Sequence, residues 1–233
     1  MGFRLLVVKA AQRVRKTGLR ATLCQAYGSL KELFGRRGAM DAFDQQYGTD
    51  TGGAVPLWKL KLDSPNAAFG IKYQPSDEQE IRAAIAFLHE NPRDITFIDL
   101  GCGKGRVLLV AATQGFRQMI GVEFAHELAE VARRNLAKMH VTNAAVVHGD
   151  AADYEFPDRD PTIVYLYNPF LEEVIAKVIV NLKKSRARKL FVIYKVPSCA
   201  ALFDQSGFLT RIGSPPGIPY VQIWKRSDSS GES

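Results

Sequence analysis

The sequence predicts an α/β protein built on a doubly wound, mostly parallel sheet of seven strands with an antiparallel final strand. Short apolar runs alternate with helical patterns from residue 76 onward, which is typical of a parallel sheet. A glycine-rich turn directly follows the first apolar run, and the last two runs are joined by the turn-rich stretch 213–217. This short final connection indicates a hairpin, so we expect the sheet to end in antiparallel strands.

The first strand leads into a glycine-rich turn. Its apolar run begins at Ile95 and reaches Asp99, and a helix is predicted over 104–114. Three glycines lie between them, at Gly101, Gly103 and Gly105. A strand, a glycine turn and a helix N-terminus present backbone N–H groups to a ligand without obstruction by Cβ atoms. The pattern therefore indicates a nucleotide-like ligand. It differs from the dinucleotide fingerprint, because Arg106 stands where the third glycine of G-x-G-x-x-G would fall.

The next three strands also end in polar residues. The strand over 118–124 ends in Glu123, the run 144–151 in Asp150, and the run 162–170 in Asn168. Because the carboxyl ends of parallel strands meet at one edge of a sheet, we expect these side chains to line a ligand site. The simpler alternative for any one acid is that it caps a helix.

The remaining elements complete the doubly wound pattern. Ser76 is predicted to cap a helix that runs to His89, with acidic and amide residues in its first turn. A helix is predicted between the second and third strands, whereas only a short polar segment precedes the fourth. The other predicted ranges are helices over 125–140, 171–182 and 198–204 and strands over 189–195, 207–212 and 220–225.

The turn D-x-G-x-G-x-G resembles motif I of the class I S-adenosylmethionine-dependent methyltransferases, which have a Rossmann-like fold. This resemblance implies that S-adenosyl-L-methionine is the cofactor and that the glycine turn cradles its methionine part. It further implies that Glu123 accepts the ribose hydroxyls. Asp150 would accept the adenine amine, with the N–H of Ala151 near the ring. Asp99 would order the turn or bind the methionine ammonium through water.

In related methyltransferases, a segment just before the helix that precedes the first strand touches the cofactor. Tyr73 and Gln74 occupy that place here. They belong to the segment 39–75, which is rich in turns and aromatics, and we expect it to form a lid that excludes water. A linker packed on the sheet by its aromatics is an equal alternative.

The methyl group is expected to be delivered at Asn168, Pro169 and Phe170. Carbonyl oxygens there accept from a target nitrogen, and an aromatic ring covers the planar group or the developing cation. The triplet resembles the Asn/Asp-Pro-Pro-aromatic motif of amino methyltransferases that act on nucleic acids or protein amides, but Phe170 replaces the second proline. This departure disfavours a nucleobase. The domain is also similar to seven-strand protein-lysine methyltransferases.

The predicted function is N-methylation of a protein side chain, lysine or similar. The alternatives are a small-molecule acceptor, or an inactive cofactor-binding module that recruits a partner. The three cysteines form no C-x-x-C pair and the four histidines no metal-ligand spacing, so we expect no metal and a cytoplasmic protein.

The basic charge is concentrated at the N-terminus. Residues 1–38 contain nine Lys or Arg and one acid, a net charge of +8, and the other residues carry −1, which makes the overall +7. Apolar residues recur there at helical spacing, so an amphipathic extension is predicted. It would pack on the body, dock a partner, contact an anionic membrane surface peripherally, bind nucleic acid or serve as a presequence. Nucleic acid is disfavoured, and no run is long enough for a transmembrane span.

The predicted organisation is therefore a basic helical extension over 1–38 and a lid over 39–75. A cofactor-binding domain over 76–226 and a disordered tail over 227–233 follow.

Overall fold

The computed structural model describes residues 41–53, 55, 73–167, 170 and 172–227. The predicted extension over 1–38, much of the predicted lid and the last six residues lie outside the described residues. The elements are numbered here in chain order. The helices are α1 Ala42–Tyr47, α2 Glu78–Ala86, α3 Arg106–Thr113, α4 His126–Lys138, α5 Glu172–Lys184 and α6 Ala200–Asp204, with a 3₁₀ turn at Pro92–Asp94. The strands are β1 Thr96–Leu100, β2 Gln118–Glu123, β3 Ala144–His148, β4 Thr162–Tyr167, β5 Leu190–Lys195, β6 Leu209–Gly213 and β7 Val221–Arg226.

The strands form one sheet in the order β3-β2-β1-β4-β5-β7-β6. The first five are parallel, and β7 lies antiparallel between β5 and β6. The predicted fold class is therefore confirmed. In register, Leu100 of β1 pairs with Val122 of β2, and Tyr167 of β4 pairs with Lys195 of β5. The carboxyl ends of these strands consequently form one edge, called the carboxyl edge below; the opposite end of the sheet is the amino edge.

Two apolar clusters cover the two faces of the sheet. Along β1, Phe97 belongs to the cluster with α2, α3 and α4, and its neighbour Ile98 to the cluster with α5 and α6. Both side chains are fully buried, as expected for a strand covered on both faces. Since side chains alternate along a strand, Asp99 is on the same face as Phe97, beneath the helices that precede and follow β1.

The N-terminus of α2 corrects one prediction. The cap is Asp77, whose Oδ1 accepts from the backbone N–H of Gln79 at 2.9 Å and of Glu80 at 3.2 Å. Ser76, the predicted cap, is buried instead, with its Oγ 3.3 Å from the hydroxyl of Tyr165. Both residue types cap helices well, and the competing partner on the sheet decides between them.

The C-terminus of α2 also differs from the prediction, because α2 ends at Ala86 rather than His89. The last turn tightens, with the N–H of Leu88 donating to Ile85 O and that of His89 donating to Ala86 O.

Candidate functional site

The glycine turn lies at the carboxyl edge, between β1 and α3. Gly101, Gly103 and Gly105 all have positive φ, at 77°, 53° and 85°. The N–H of Gly101 donates to the carbonyl of Val122 at 2.8 Å, which ties the turn to β2. Gly103 has a second requirement, because a Cβ there would lie 2.2 Å from the ring of Tyr73. Only glycine fits both this backbone conformation and this close approach.

Glu123 and Asp99 place two buried carboxyl groups beneath the turn. Glu123 Oε2 accepts from the N–H of Gly103 at 2.8 Å, and Oε1 from that of Ala125 at 2.9 Å. Burial raises the pKa of Glu123 to about 7, although these hydrogen bonds oppose the shift. Burial, and then the nearby charge of Glu123, raises the pKa of Asp99 well above its usual range. Among the described residues, Asp99 Oδ2 has no hydrogen-bond partner.

Residues 41–53, called the strap, are attached to the N-terminus of α3 by Arg106. Its guanidinium is buried and lies 2.9 Å from Asp41 Oδ1 and 3.9 Å from Asp44 Oδ2. Its Nε donates to the hydroxyl of Thr51 at 2.5 Å. Arg106, which distinguishes this turn from the dinucleotide fingerprint, thus binds the preceding segment.

Asp44 organises the strap itself. Its carboxylate accepts four hydrogen bonds, from the hydroxyls of Thr49 and Thr51 and the N–H groups of Thr51 and Gly52. Burial acts to raise the pKa of Asp44, but the hydrogen bonds from Thr51, Thr49 and Gly52 outweigh it and lower that pKa. The strap is therefore an ordered loop built around one carboxylate.

The strap also contacts the glycine turn directly. Lys104 Nζ lies 2.8 Å from Asp50 Oδ1 and donates to the carbonyl of Gly52 at 3.0 Å. Asn135 of α4 accepts from the N–H of Asp50 and donates to the carbonyls of Asp50 and Lys104. Turn, strap and α4 are thus joined at one place.

Tyr73 lies across the turn. Its hydroxyl donates to the carbonyl of Thr51 at 2.5 Å, and its backbone pairs with Val55 in an isolated bridge. Burial raises the pKa of Tyr73. Gln74, the neighbouring predicted contact, is half-buried. Tyr73 is therefore brought to the predicted site by the strap as well as by the glycine that accommodates its ring.

The third strand contributes Asp150 and Ala151 to the same edge. Asp150 Oδ1 accepts from the N–H of Ala152 at 2.8 Å, which fixes the turn after β3, and Ala151 is buried. Of the predicted methyl-delivery residues, Asn168 and Pro169 lie outside the described residues. Phe170 is buried in the cluster with α5 and α6.

Residues 97–187 match the family model described as "Methyltransferase domain". The matched span contains the glycine turn, Glu123 and Asp150, which meet at the carboxyl edge. The chain contains a methyltransferase domain of the class I, S-adenosylmethionine-dependent type.

Two curated relatives of this methyltransferase act on proteins, as their names state. The protein-lysine N-methyltransferase of Saccharolobus islandicus (strain REY15A) is 28% identical over 115 residues, which cover 48% of this chain and 71% of the relative. The ribosomal protein L11 methyltransferase of Clostridium perfringens (strain SM101 / Type A) is 25% identical over 141 residues. That match covers 56% of this chain but only 42% of the relative, so the chain spans less than half of that protein.

A solved structure shows the same fold. Haemonchus contortus phosphoethanolamine N-methyltransferase 1, in complex with phosphoethanolamine and S-adenosylhomocysteine, superposes with a TM-score of 0.52 at 13% identity. The match covers 67% of this chain and 44% of that one.

S-adenosylmethionine fits the residues that the methyltransferase brings together. The cofactor carries hydrogen-bond donors and a cationic amino acid group. The site offers it two buried carboxyl groups, and Asp99 Oδ2 lacks a partner in the described part of the chain. A buried unpartnered carboxyl oxygen is costly unless a ligand satisfies it. When bound, S-adenosylmethionine supplies an electrophilic methyl group on its sulfonium.

Sequence reasoning missed two groups of residues at this edge. The first is the network of Arg106 with the strap, for which a lone arginine in an apolar helix was the signal. The second is Glu80, Lys195 and Tyr220. Lys195 was detectable as one more charged residue at a strand end, whereas nothing local in the sequence singles out Glu80 or Tyr220.

None of the helices in the described ranges has the length and apolar character needed to traverse a bilayer. In the same part of the chain, no group of three or more His, Cys, Asp or Glu residues is arranged to hold a metal ion. Cys102 is buried, and its Sγ would lie 2.7 Å from a Cβ at position 121. It thus packs closely against Gly121.

Proposed function

We propose that this methyltransferase transfers a methyl group to an amine nitrogen of a protein side chain, lysine or a similar group. The named activities of the two curated relatives support a protein acceptor. Phe170 stands in place of the second proline of the Asn/Asp-Pro-Pro-aromatic motif, and this replacement argues against a nucleobase acceptor.

The charge at the carboxyl edge is the observation that carries this proposal. The N-terminus of α2 lies at this edge, with Asp77 as its cap and Glu78 and Glu80 in its first turn, where Glu78 pairs with Arg82 at 2.8 Å. The cations described here are already paired with carboxylates. Lys104 lies 2.8 Å from Asp50, Arg106 2.9 Å from Asp41, and Lys195 2.6 Å from Glu80. Such an edge attracts a protonated amine and disfavours the phosphates of a nucleic acid.

The cofactor roles follow from the same edge. Glu123 accepts the ribose hydroxyls through the lone pairs that its two backbone hydrogen bonds leave over. Asp99 Oδ2 receives the methionine ammonium, directly or through water. Asp150 and the N–H of Ala151 address the adenine. The glycine turn, Tyr73 and Gln74 enclose the cofactor, and the strap acts as part of the predicted lid.

Methyl transfer is an in-line displacement from the sulfonium, so the protein mainly aligns the acceptor lone pair with the methyl carbon. Asn168 and the carbonyl that follows it accept from the acceptor nitrogen. Pro169 contributes that carbonyl, and Phe170 is buried directly after it. The nitrogen must lose a proton before or during the attack. We place this reaction in the cytoplasm and assign the basic segment 1–38 to docking of the acceptor protein.

The test is transfer from methyl-labelled S-adenosylmethionine to the components of a cell lysate, followed by mass spectrometry of the labelled material. We expect label on a protein, at an amine side chain. Label that is confined to small molecules, or that is released by ribonuclease, would contradict the proposal.

Asn168→Ala is the companion variant. It should reduce turnover and leave the affinity for S-adenosylhomocysteine nearly intact, because Asn168 addresses the acceptor rather than the cofactor. Equal losses of turnover and affinity would assign Asn168 to the cofactor instead.

A further inference from the structure

A buried lysine ends β5 beside the predicted methyl-delivery turn. Lys195 pairs in register with Tyr167, the residue directly before Asn168. Its ammonium lies 4.1 Å from the centroid of the Tyr167 ring, within the range of a cation–π contact. Lys195 is therefore in contact with the last residue of β4, which directly precedes Asn168 in the sequence.

The ammonium also contacts α2, and Glu80 of α2 in turn contacts the approach to β7. Lys195 Nζ lies 2.6 Å from Glu80 Oε2 of α2. Glu80 Oε1 accepts from the hydroxyl of Tyr220, which lies just before β7. Burial increases from one group to the next. Tyr220 is 43% exposed, the side chain of Glu80 is 21% exposed and that of Lys195 is 8% exposed. The cluster thus connects α2, β5 and the approach to β7 to the end of β4.

The backbone at the same corner is strained. Val196, which follows Lys195, has a φ of 52°, a region that β-branched residues rarely occupy. It is held there by a hydrogen bond from its N–H to the carbonyl of Tyr220 at 2.7 Å. Strained residues persist where the surrounding structure over-determines them, and they cluster at functional sites.

A contribution to stability does not explain this arrangement. The other five residues of β5 are buried and uncharged, and a sixth apolar residue would avoid the desolvation of an ammonium. A buried ion pair seldom stabilises a protein more than well-packed apolar residues of similar volume do. What the ammonium provides is a fixed position for the carboxylate and the aromatic ring that it contacts.

We propose that Lys195 is a positioning residue for methyl transfer. Its ammonium, oriented by Glu80, holds the Tyr167 ring at the end of β4, directly before Asn168, the residue proposed to accept from the acceptor nitrogen. The inference rests on the proposed function, and it adds that the geometry of the acceptor side depends on a cation at the end of β5.

The other end of the same strand provides a matched control. Lys189 precedes β5 at the amino edge, and its Nζ lies 2.7 Å from Glu90 Oε2. Lys195→Met and Lys189→Met therefore each remove one lysine–glutamate pair, and the two pairs are at opposite ends of β5. Lys195→Arg keeps the cation beside Tyr167.

The experiment measures the rate of label transfer from S-adenosylmethionine to lysate acceptors at several acceptor concentrations, and the affinity for S-adenosylhomocysteine by calorimetry. Lys195→Met should lower the turnover rate about 10- to 100-fold, as expected for a small misplacement of the reacting groups. Cofactor affinity should not change. Lys195→Arg should recover most of the rate, and Lys189→Met should behave as the wild type.

Equal rates for Lys195→Met and Lys189→Met would overturn the proposal. So would parallel losses of rate and cofactor affinity in Lys195→Met, since these would mean a general structural role. Should Lys195→Met fail to fold, Glu80→Gln leads to the same decision, with Glu90→Gln as its control.

Failure of the proposed function gives a different result. If the wild type labels only small molecules, the proposal of a protein acceptor is wrong. The transfer rates of Lys195→Met and Lys189→Met to that small molecule then still decide the role of Lys195. If the wild type labels nothing, both proposals fall.

Discussion

Charged side chains are arranged differently at the two edges of the sheet. At the amino edge, Arg186 and Arg188 pair with Asp158 and Asp160 at 3.7 Å, and these arginine side chains are 87% and 94% exposed. At the carboxyl edge, the Arg106 side chain is only 6% exposed and lies between Asp41 and Asp44. Lys195 and the carboxyl group of Glu123 are buried at the same edge, and Glu80, the partner of Lys195, is half-buried.

The charges at the amino edge are solvated, whereas those at the carboxyl edge depend on their protein partners. Exposed pairs are solvated whether or not they form, so each contributes at most about 1 kcal/mol. A buried charge has lost its water, and removing its partner is costly. The carboxyl edge therefore has charges that fix geometry, and it is the edge where the cofactor and acceptor are proposed to bind.

The largest expected effect is that of Arg106→Met. It leaves Asp41 and the buried Asp44 without their cation, so we expect the free energy of unfolding to fall by about 3 kcal/mol. The measurement is urea denaturation of the purified variants. Arg188→Met, at the amino edge, is the control and should change the free energy by less than about 0.5 kcal/mol. Equal effects of the two substitutions would show that burial does not distinguish the edges.

Glu123→Gln tests the carboxyl edge through the cofactor. Both oxygens of Glu123 accept from backbone N–H groups. In glutamine, one of these oxygens becomes an NH₂ group, which would face a backbone N–H donor and could not accept from it. The ribose hydroxyls also lose a charged acceptor. We expect the affinity for S-adenosylhomocysteine to fall by about 10- to 100-fold, or about 1–3 kcal/mol. Calorimetry measures it, with Glu90→Gln at the amino edge as a control that should bind normally. Unchanged affinity in a folded Glu123→Gln variant would refute the assignment.

Two glycines with positive φ allow the two edges to be compared by substitutions that change no charge. A Cβ at position 115, at the amino edge, would meet nothing within 4 Å, whereas at Gly103 it would meet the Tyr73 ring. Gly115→Ala should cost about 1 kcal/mol of stability through its backbone alone. Gly103→Ala should lower the free energy of unfolding by more than Gly115→Ala does. Adding Tyr73→Ala to the Gly103→Ala variant should remove this additional loss of stability. Equal costs for both glycines would mean that Tyr73 does not lie on the turn in solution.

The pH dependence of cofactor binding has the smallest expected effect. Burial raises the pKa of Glu123 to about 7, and the proposed role of Glu123 has the ribose hydroxyls donate to its ionised form. Binding therefore favours deprotonation, and affinity should rise by up to about tenfold from about pH 6 to about pH 8. Folding should respond in the opposite direction. The folded state holds this proton up to a higher pH than the unfolded chain does, so the contribution of Glu123 to stability falls between about pH 4.5 and about pH 7 and is constant at higher pH.

Calorimetry across this pH range checks the prediction, with Glu123→Gln as the reference. The variant should lose the slope. A flat wild-type profile would contradict the prediction, and a slope that Glu123→Gln reproduces would assign the titration to another group.

Features that the sequence predicted are mainly local or depend on a regular spacing. The seven strands and the antiparallel position of the last follow from apolar runs and from the turn over 213–217. The meeting of Asp99, Glu123 and Asp150 at one edge follows from the geometry of parallel strands. The failures at the termini of α2 are small, and the one at its N-terminus has a competing partner. Ser76 loses the cap of α2 because Tyr165 of the sheet lies within reach of its hydroxyl.

Contacts between residues distant in the chain escaped prediction. Arg106 stands out in the sequence as a lone arginine in an apolar helix, but its pairing with Asp41 and Asp44 depends on where the strap lies. Glu80 and Lys195 are on different elements, and Tyr220 precedes a third. No periodicity relates these residues, so their meeting is decided by how α2 packs on the end of β5.

The sequence by itself determined the architecture, the glycine turn and the type of ligand, because backbone conformation and strand periodicity are properties of short stretches. The tertiary structure alone decided which charges are buried and with what partner. Burial removes water from a charge only after distant segments have packed around it, and that desolvation makes Arg106, Glu123 and Lys195 parts of a site rather than surface residues.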